Sequence, residues 1–443
     1  MKAESVNSLG SRVLDAQESH NGKVAGAAWL ALFMMTLVYT LNITDRYVLS
    51  TLIEPIKNEF GLSDAAVGFL TGTSLAIFYV CAGLPLGALA DRVNRKRMIA
   101  LSVGVWSGMT ALCGLSSTFT QLLIARIGVG IGEAGGTPPS HSLISDRFPP
   151  RYRAFALSVV GLGASIGAWL GASGAGMLND AYGWRHSLLI FGLAGIPVAL
   201  LVWVLVKEPS RGSTDVKNVL EPSSESSFGI LATLKYTWGN KALLHVISGA
   251  TMITFWGWGI LWWTPSFLVR SFNLTVGEAG ALLGPIHGVG GTALMIATVA
   301  IMYYCRNRSI LNQPRLVLWT TLIGTFVSIY TFTVKDLHEV TVALWIFAPI
   351  IYIYIGPATG LVQNLYPPRM RAKGIAILLF TANIANLALA PQLIGWCSDL
   401  VATRIENPHD SLKYVLFACA FTGFWASLHF ALAIKHMKKQ GLA

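Results

Sequence analysis

Long apolar runs separated by short polar breaks recur along the whole 443-residue chain. A helix needs roughly 20 mostly apolar residues to cross the hydrocarbon core of a bilayer. Twelve such runs fall at approximately 26–51, 65–89, 97–116, 120–143, 153–176, 187–206, 241–269, 277–304, 315–333, 340–364, 373–396 and 414–434. The pattern predicts an all-α membrane protein with twelve transmembrane helices. Residues 1–25 are polar and lack the succession of a secretory signal, so they read as a cytoplasmic tail, as do residues 435–443. The longest polar break, 207–240, contains Glu221-Pro222-Ser223-Ser224-Glu225-Ser226-Ser227, which is linker chemistry. It separates a six-helix bundle at 26–206 from a second at 241–434.

Composition agrees, since 12% charged residues is half the roughly 25% of a soluble protein. The net charge of +11 would suit nucleic acid, but the cations sit in alternate loops. One side receives Arg92, Arg95, Lys96 and Arg97, then Arg147, Arg151 and Arg153, Arg306, Arg308 and Arg315, Arg369, Arg371 and Lys373, and Lys435, Lys438 and Lys439. The other has Lys57, Arg185, Arg270, Lys335, Arg404 and Lys413. Basic residues stay on the cytoplasmic side of a membrane, so both termini are placed in the cytoplasm, and nucleic acid is not expected as a partner. The five cysteines show no metal or disulfide spacing; no metal or cofactor is implied.

Three enzyme-like patterns fail their context. Gly130, Gly132 and Gly135 follow no strand, Gly163, Ser165 and Gly167 lie inside an apolar run rather than at a strand-to-helix elbow, and His141 with Asp146 lacks an accompanying site. No enzyme is expected. The glycines of helices 4 and 5 read as close helix packing in lipid, or as points where those helices slide or bend.

Ionisable groups inside membrane spans are expensive and mark function, and here they are Asp45, Arg46, Arg126 and Glu133. Helix 1 runs outward and helix 4 inward, so Asp45 and Arg126 lie at similar depth and can pair. Arg126 and Glu133, two turns apart, share a face of helix 4. A carboxylate in a low dielectric holds a proton more readily than in water, and an adjacent arginine reverses that preference. Asp45 and Glu133 are therefore candidate proton sites with Arg126 switching between them; the alternative is a static ion pair fixing helices 1 and 4. Arg46 reads as a cavity charge, or as snorkelling to the outer interface.

The loop Gly87-Ala88-Leu89-Ala90-Asp91-Arg92-Val93-Asn94-Arg95-Lys96-Arg97 resembles the signature loop of the major facilitator superfamily. That resemblance implies two six-helix halves built from smaller inverted repeats, with Gly87, Asp91, Arg92, Arg95 and Lys96 gating the cytoplasmic side through contacts with a helix N-terminus and the partner half. The cations Arg95, Lys96 and Arg97 alternatively serve only topology. Asn42-Ile43-Thr44-Asp45-Arg46-Tyr47, the run Arg126 to Ala134 and Ile144-Ser145-Asp146-Arg147-Phe148 together resemble the bacterial branch of the Spinster-like transporters. This second resemblance implies proton-linked transport of an amphipathic solute, of lysophospholipid or sphingoid type, by a protein expected to act as a monomer among membrane lipids, with Asp45, Arg126 and Glu133 coupling. Small organic anions or drug-like amphiphiles are the rival substrates. Candidate lining residues are Asn42, Phe255, Trp256, Trp258, His287, Gln363, Asn364, Thr381, Asn383 and Asn386, any of which can instead hold helices together. Trp262 and Trp263 suit an interfacial aromatic belt equally well.

Overall fold

The computed structural model describes residues 26–90, 92–210, 229–305 and 308–442, leaving the tail 1–25, Asp91, the linker stretch 211–228, Arg306, Asn307 and Ala443 outside the described residues. The spanning helices are α1 (Gly26–Thr51), α2 (64–90), α3 (Arg95–Gly114), α4 (119–147), α5 (150–182), α6 (184–205), α7 (241–272), α8 (276–304), α9 (Asn312–Thr331), α10 (337–365), α11 (371–402) and α12 (411–439). Among the described residues, eight helices are individually long and apolar enough to cross a membrane. One of these, Phe155–Leu205, crosses twice because it breaks at Gly183, and α3, α4 and α9 complete twelve. The face carrying the start of α1 and the end of α12 is termed inner and the opposite face outer.

Helix starts follow local chemistry, because the first amides of a helix lack intrahelical acceptors. Asn94, Thr118 and Asn240 cap α3, α4 and α7 with their side-chain oxygens, and Thr275 with Glu278 forms a capping box at α8. Helices α5 and α11 run further than their apolar runs predict. At the end of α11 the polar Ser398 is buried between helices rather than held in a loop, whereas α5 carries the exposed Asp180 beyond its apolar run.

Gly183 joins α5 to α6 at φ 81°, ψ 163°, a region open essentially to glycine alone. The turn delivers Trp184 and Arg185 to Glu59 on the short surface helix Ile53–Phe60, with Trp184 Nε1 2.6 Å from Glu59 Oε2. Arg185 and Trp184 hold that carboxyl below its ordinary range. Replacing Gly183 by Ala should therefore destabilise the protein by about 1–3 kcal/mol, read as a lowered melting temperature in detergent; an unchanged melt would show that the turn relaxes freely.

The glycines of α5 are packing surface. A Cβ on Gly163, Gly167 or Gly171 would lie 2.9 Å from Thr40 Oγ1, 2.5 Å from Thr40 O and 2.7 Å from Thr44 O respectively, so α1 and α5 meet backbone to backbone. Among the described residues, four spanning helices contain a π-helical segment: Phe69–Thr73 near the start of α2, Thr254–Trp258 in α7, Ile286–Gly291 in α8 and Ile384–Leu389 in α11. Such segments bend a helix and recur at functional sites. The segment in α7 contains Gly257.

Candidate functional site

Two ion pairs cross between α1 and α4. Asp45 Oδ2 accepts from Arg126 Nη1 at 2.9 Å, and its other oxygen accepts a hydrogen bond from Thr110 of α3. Arg46 donates to Glu133 Oε2 through Nη2 at 2.7 Å and Nε at 3.1 Å. Side chains on a helix lean toward its N-terminus, which lets Arg46 reach back inward along α1 to Glu133. Arg126 and Glu133 are fully buried, while the Arg46 side chain retains 16% exposure. The ring of Tyr79 on α2 lies 5.8 Å from the Arg46 guanidinium, a cation–π contact.

The pairing decides between the readings of Arg46 and gives each arginine its own carboxylate in this conformation. Arg46 does not snorkel outward but closes the second pair, and the partner of Glu133 is Arg46 rather than Arg126. Neither pair saturates its members. Among the described residues, Arg126 Nε and Nη2 and Glu133 Oε1 are buried with no hydrogen-bond partner, and an unpaired buried polar group costs about 1–3 kcal/mol. The site thus retains two N–H donors and one carboxylate oxygen able to bind a proton or a polar solute.

The second half lines this region differently from expectation. Trp256 is buried within its own bundle, its Nε1 3.3 Å from Ser328 Oγ and its ring edge-on to Phe347. Thr381 accepts from Thr251 Oγ1 at 2.9 Å, which ties α11 to α7. Gln363 and Asn364 are exposed near the inner end of α10, and Asn42 is buried inside the first bundle beside Trp106 and His141. Trp256, Thr381 and Asn42 are therefore packing residues in this conformation. Phe255 and Asn386 are half-buried. His287 does reach the junction of the halves, since its Nδ1 is 3.2 Å from Tyr352 OH and Tyr47 of α1 packs edge-on to it at 4.9 Å, while Trp258 packs edge-on to Tyr352 of its own half. The Tyr47–His287–Tyr352 contact was not legible in the sequence, since aromatic residues in apolar runs carry no distinguishing signal.

On the inner side, Arg95 bonds its own half, through Asp146, Glu208 (2.8 Å), Ser142 Oγ (2.9 Å) and the carbonyl of Pro209 (3.1 Å). The backbone amide of Lys96 also donates to Glu208. Arg95 thus fastens the loop to α4 and to the chain after α6 instead of engaging the partner half. Gly87 is half-buried, Arg92 is exposed, and Asp91 lies outside the described residues.

On the outer side the halves are joined closely. Arg270 of α7 bonds Glu54 at 2.7 Å and Asp64 at 2.7 Å, a network that the sequence showed only as separate loop charges. Trp262 Nε1 donates to Thr71 Oγ1 at 3.1 Å, and its carbonyl accepts from Ser50 Oγ at 2.7 Å; Trp263 is fully buried, its Nε1 3.3 Å from Pro391 O. These tryptophans belong to the seal rather than to a lipid-facing belt. Helices α2 and α11 touch where a Cβ on Gly72 would lie 2.5 Å from Leu387 O. Immediately inward they part around an apolar cleft of about 320 Å³ lined by Ala76, Ile77, Tyr79, Val80, Asn383 and Ile384, among others.

Twelve helices in two bundles, with ion pairs buried between the spanning helices, define a secondary transporter and not an enzyme. Residues 35–391 match the Major Facilitator Superfamily, and the chain belongs to that family. It is 30% identical over 376 residues to an MFS-type efflux pump of Mycolicibacterium smegmatis, covering 84% of this chain and 85% of that one. It is 25% identical to the sphingosine-1-phosphate transporter SPNS2 of Danio rerio, over 86% of this chain and 79% of the relative. A solved structure of a bacterial homolog of the human lysosomal transporter Spinster, inward-facing and unoccupied, superposes with a TM-score of 0.82 at 28% identity, over 94% of this chain and 99% of that one.

Proposed function

We propose that this transporter moves an amphipathic, lipid-like solute of lysophospholipid or sphingoid type, coupled to protons, by alternating access of the halves 26–206 and 241–434. The observation that carries the reading is the place of Tyr79. One part of its ring lies over Arg46, which pairs with Glu133, and the same side chain walls the apolar cleft between α2 and α11. A charged group and an apolar slot side by side suit a molecule with a polar head and a hydrocarbon tail. The named activity of the Danio rerio relative supports this substrate class. The outer seal, together with the likeness to an inward-facing relative, supports an inward-open state.

Proton coupling is assigned to Glu133 and Asp45, each held by an arginine that a solute or a helix movement can displace. The unpartnered donors of Arg126 favour a second reading, a small organic anion. The basic residues of the inner loops support a topology with both termini cytoplasmic in a bacterial inner membrane, where the chain acts as a monomer in this proposal.

The test is substrate-dependent proton movement in proteoliposomes, screening lysophospholipids against small organic acids. Acidification or alkalinisation of the lumen that depends on a lysophospholipid is the expected result. Coupling to organic acids alone would replace the lipid by the anion, and no proton movement with any transported solute would remove the coupling.

A further inference from the structure

The spacing of the inner loop, glycine then aspartate four residues on (Gly87 to Asp91), recurs at two places not singled out so far. They are Gly176-Met177-Leu178-Asn179-Asp180 at the outer end of α5 and Gly395-Trp396-Cys397-Ser398-Asp399 at the outer end of α11. In both, the aspartate reaches the start of a helix in the opposite half. Asp399 accepts from the backbone amides of Asp64 at 2.9 Å and Ala65 at 2.8 Å, the first two residues of α2. Asp180 accepts from the backbone amide of Gly277 at 3.0 Å and from Thr275 Oγ1 at 2.5 Å, at the start of α8.

The glycines match as well. A Cβ on Gly395 would lie 2.3 Å from Asp64 O, and one on Gly176 would lie 2.6 Å from Val276 O, so only glycine lets the two helices close to this distance. The targets share a design: Ser63 and Thr275 are the N-caps, each accepting from the amide three residues on, that of Ala66 and of Glu278. One contact therefore becomes the other when the halves are exchanged, α11 onto α2 and α5 onto α8.

We propose that these are paired outer latches, each a carboxylate seated on the N-terminus of a helix in the other half, and that together they hold the outer side closed. A helix N-terminus carries about half a positive charge and presents amides without intrahelical acceptors. A carboxylate there makes charge-assisted hydrogen bonds that vanish completely once the halves part, so the contacts favour one conformation over the other. The α11 latch is the stronger. Asp64 is also bound by Ser398 Oγ at 2.6 Å and by Arg270, whereas Asp180 is exposed to screening at the rim.

The inference rests on alternating access and on no particular substrate, so failure of the lipid reading would leave its test unchanged. Spin labels at Ser117→Cys and Lys335→Cys, both exposed on the outer face of opposite halves, are introduced with Cys81, Cys305 and Cys397 changed to serine. Electron–electron distance distributions are recorded in nanodiscs without substrate. Asp399→Asn should raise the long-distance, outer-open population about tenfold, the scale of one charge-assisted hydrogen bond. Asp180→Asn should raise it less, and the double variant by roughly the product. Asp410→Asn, whose carboxylate bonds Asn407 in its own half, should leave the distribution unchanged. Unaltered distributions in both single variants, with melting temperatures retained, would overturn the proposal, as would an equal shift from Asp410→Asn. Asp180 is exposed, so Asp180→Asn folds whatever its role and keeps the test open if Asp399→Asn does not.

Discussion

Arg126→Met is expected to destabilise the protein by about 3–5 kcal/mol, the cost of leaving one member of a buried ion pair without its partner. Asp45 would then keep only the Thr110 hydroxyl as a donor. Its carboxylate would remain in a site that exposes 5% of the residue. Adding Asp45→Asn to Arg126→Met removes the orphaned charge while retaining an acceptor for Thr110, so the double variant should recover much of the lost stability. Unfolding in detergent measures both, and the difference between the single and double variants isolates the interaction. A loss below ~1 kcal/mol in the single variant would place the pair in the range of exposed salt bridges and deny that it is dry.

Glu133→Gln should behave in the opposite way, with a small change in stability and a large change in function. Arg46 loses its anion, but its side chain is 16% exposed and lies against Tyr79, so its charge can be rehydrated. The amide oxygen still accepts a hydrogen bond, which limits the destabilisation to about 1–3 kcal/mol. What the amide cannot do is gain or lose a proton. In proteoliposomes, substrate-driven proton movement should fall to the level of empty vesicles, while binding of the substrate persists. Proton flux equal to that of the unaltered protein would exclude Glu133 as the coupling group and leave Asp45 as the candidate to test.

Both predictions begin from residues that could be picked out of the chain directly. Asp45, Arg46, Arg126 and Glu133 stand out because charge is rare inside apolar runs, and the Asp45–Arg126 pair follows from helix direction and depth. The second pair escaped because Arg46, one residue nearer the outside, reaches inward by the lean and length of its side chain. Trp256 and Thr381 were misplaced for a related reason. Helices α7 and α11 are apolar around most of their circumference, so the hydrophobic pattern does not say which face meets the cavity and which the neighbouring helix. The outer network of Arg270, Glu54 and Asp64 looked like ordinary loop charge, since nothing local distinguishes a solvated carboxylate from one that another half will cover.

The sequence by itself determined the number of spanning helices, the charge asymmetry of the loops and the four ionisable residues inside apolar runs. Each of these depends on whether a stretch of about 20 residues prefers lipid or water, which is a property of local composition. The tertiary structure alone decided which charge meets which, which tryptophans seal the outer face and which helix starts receive Asp180 and Asp399. Those outcomes depend on the rotation of each helix about its axis and on the few ångströms that glycine allows between backbones, and both are set by packing against helices far away in the chain.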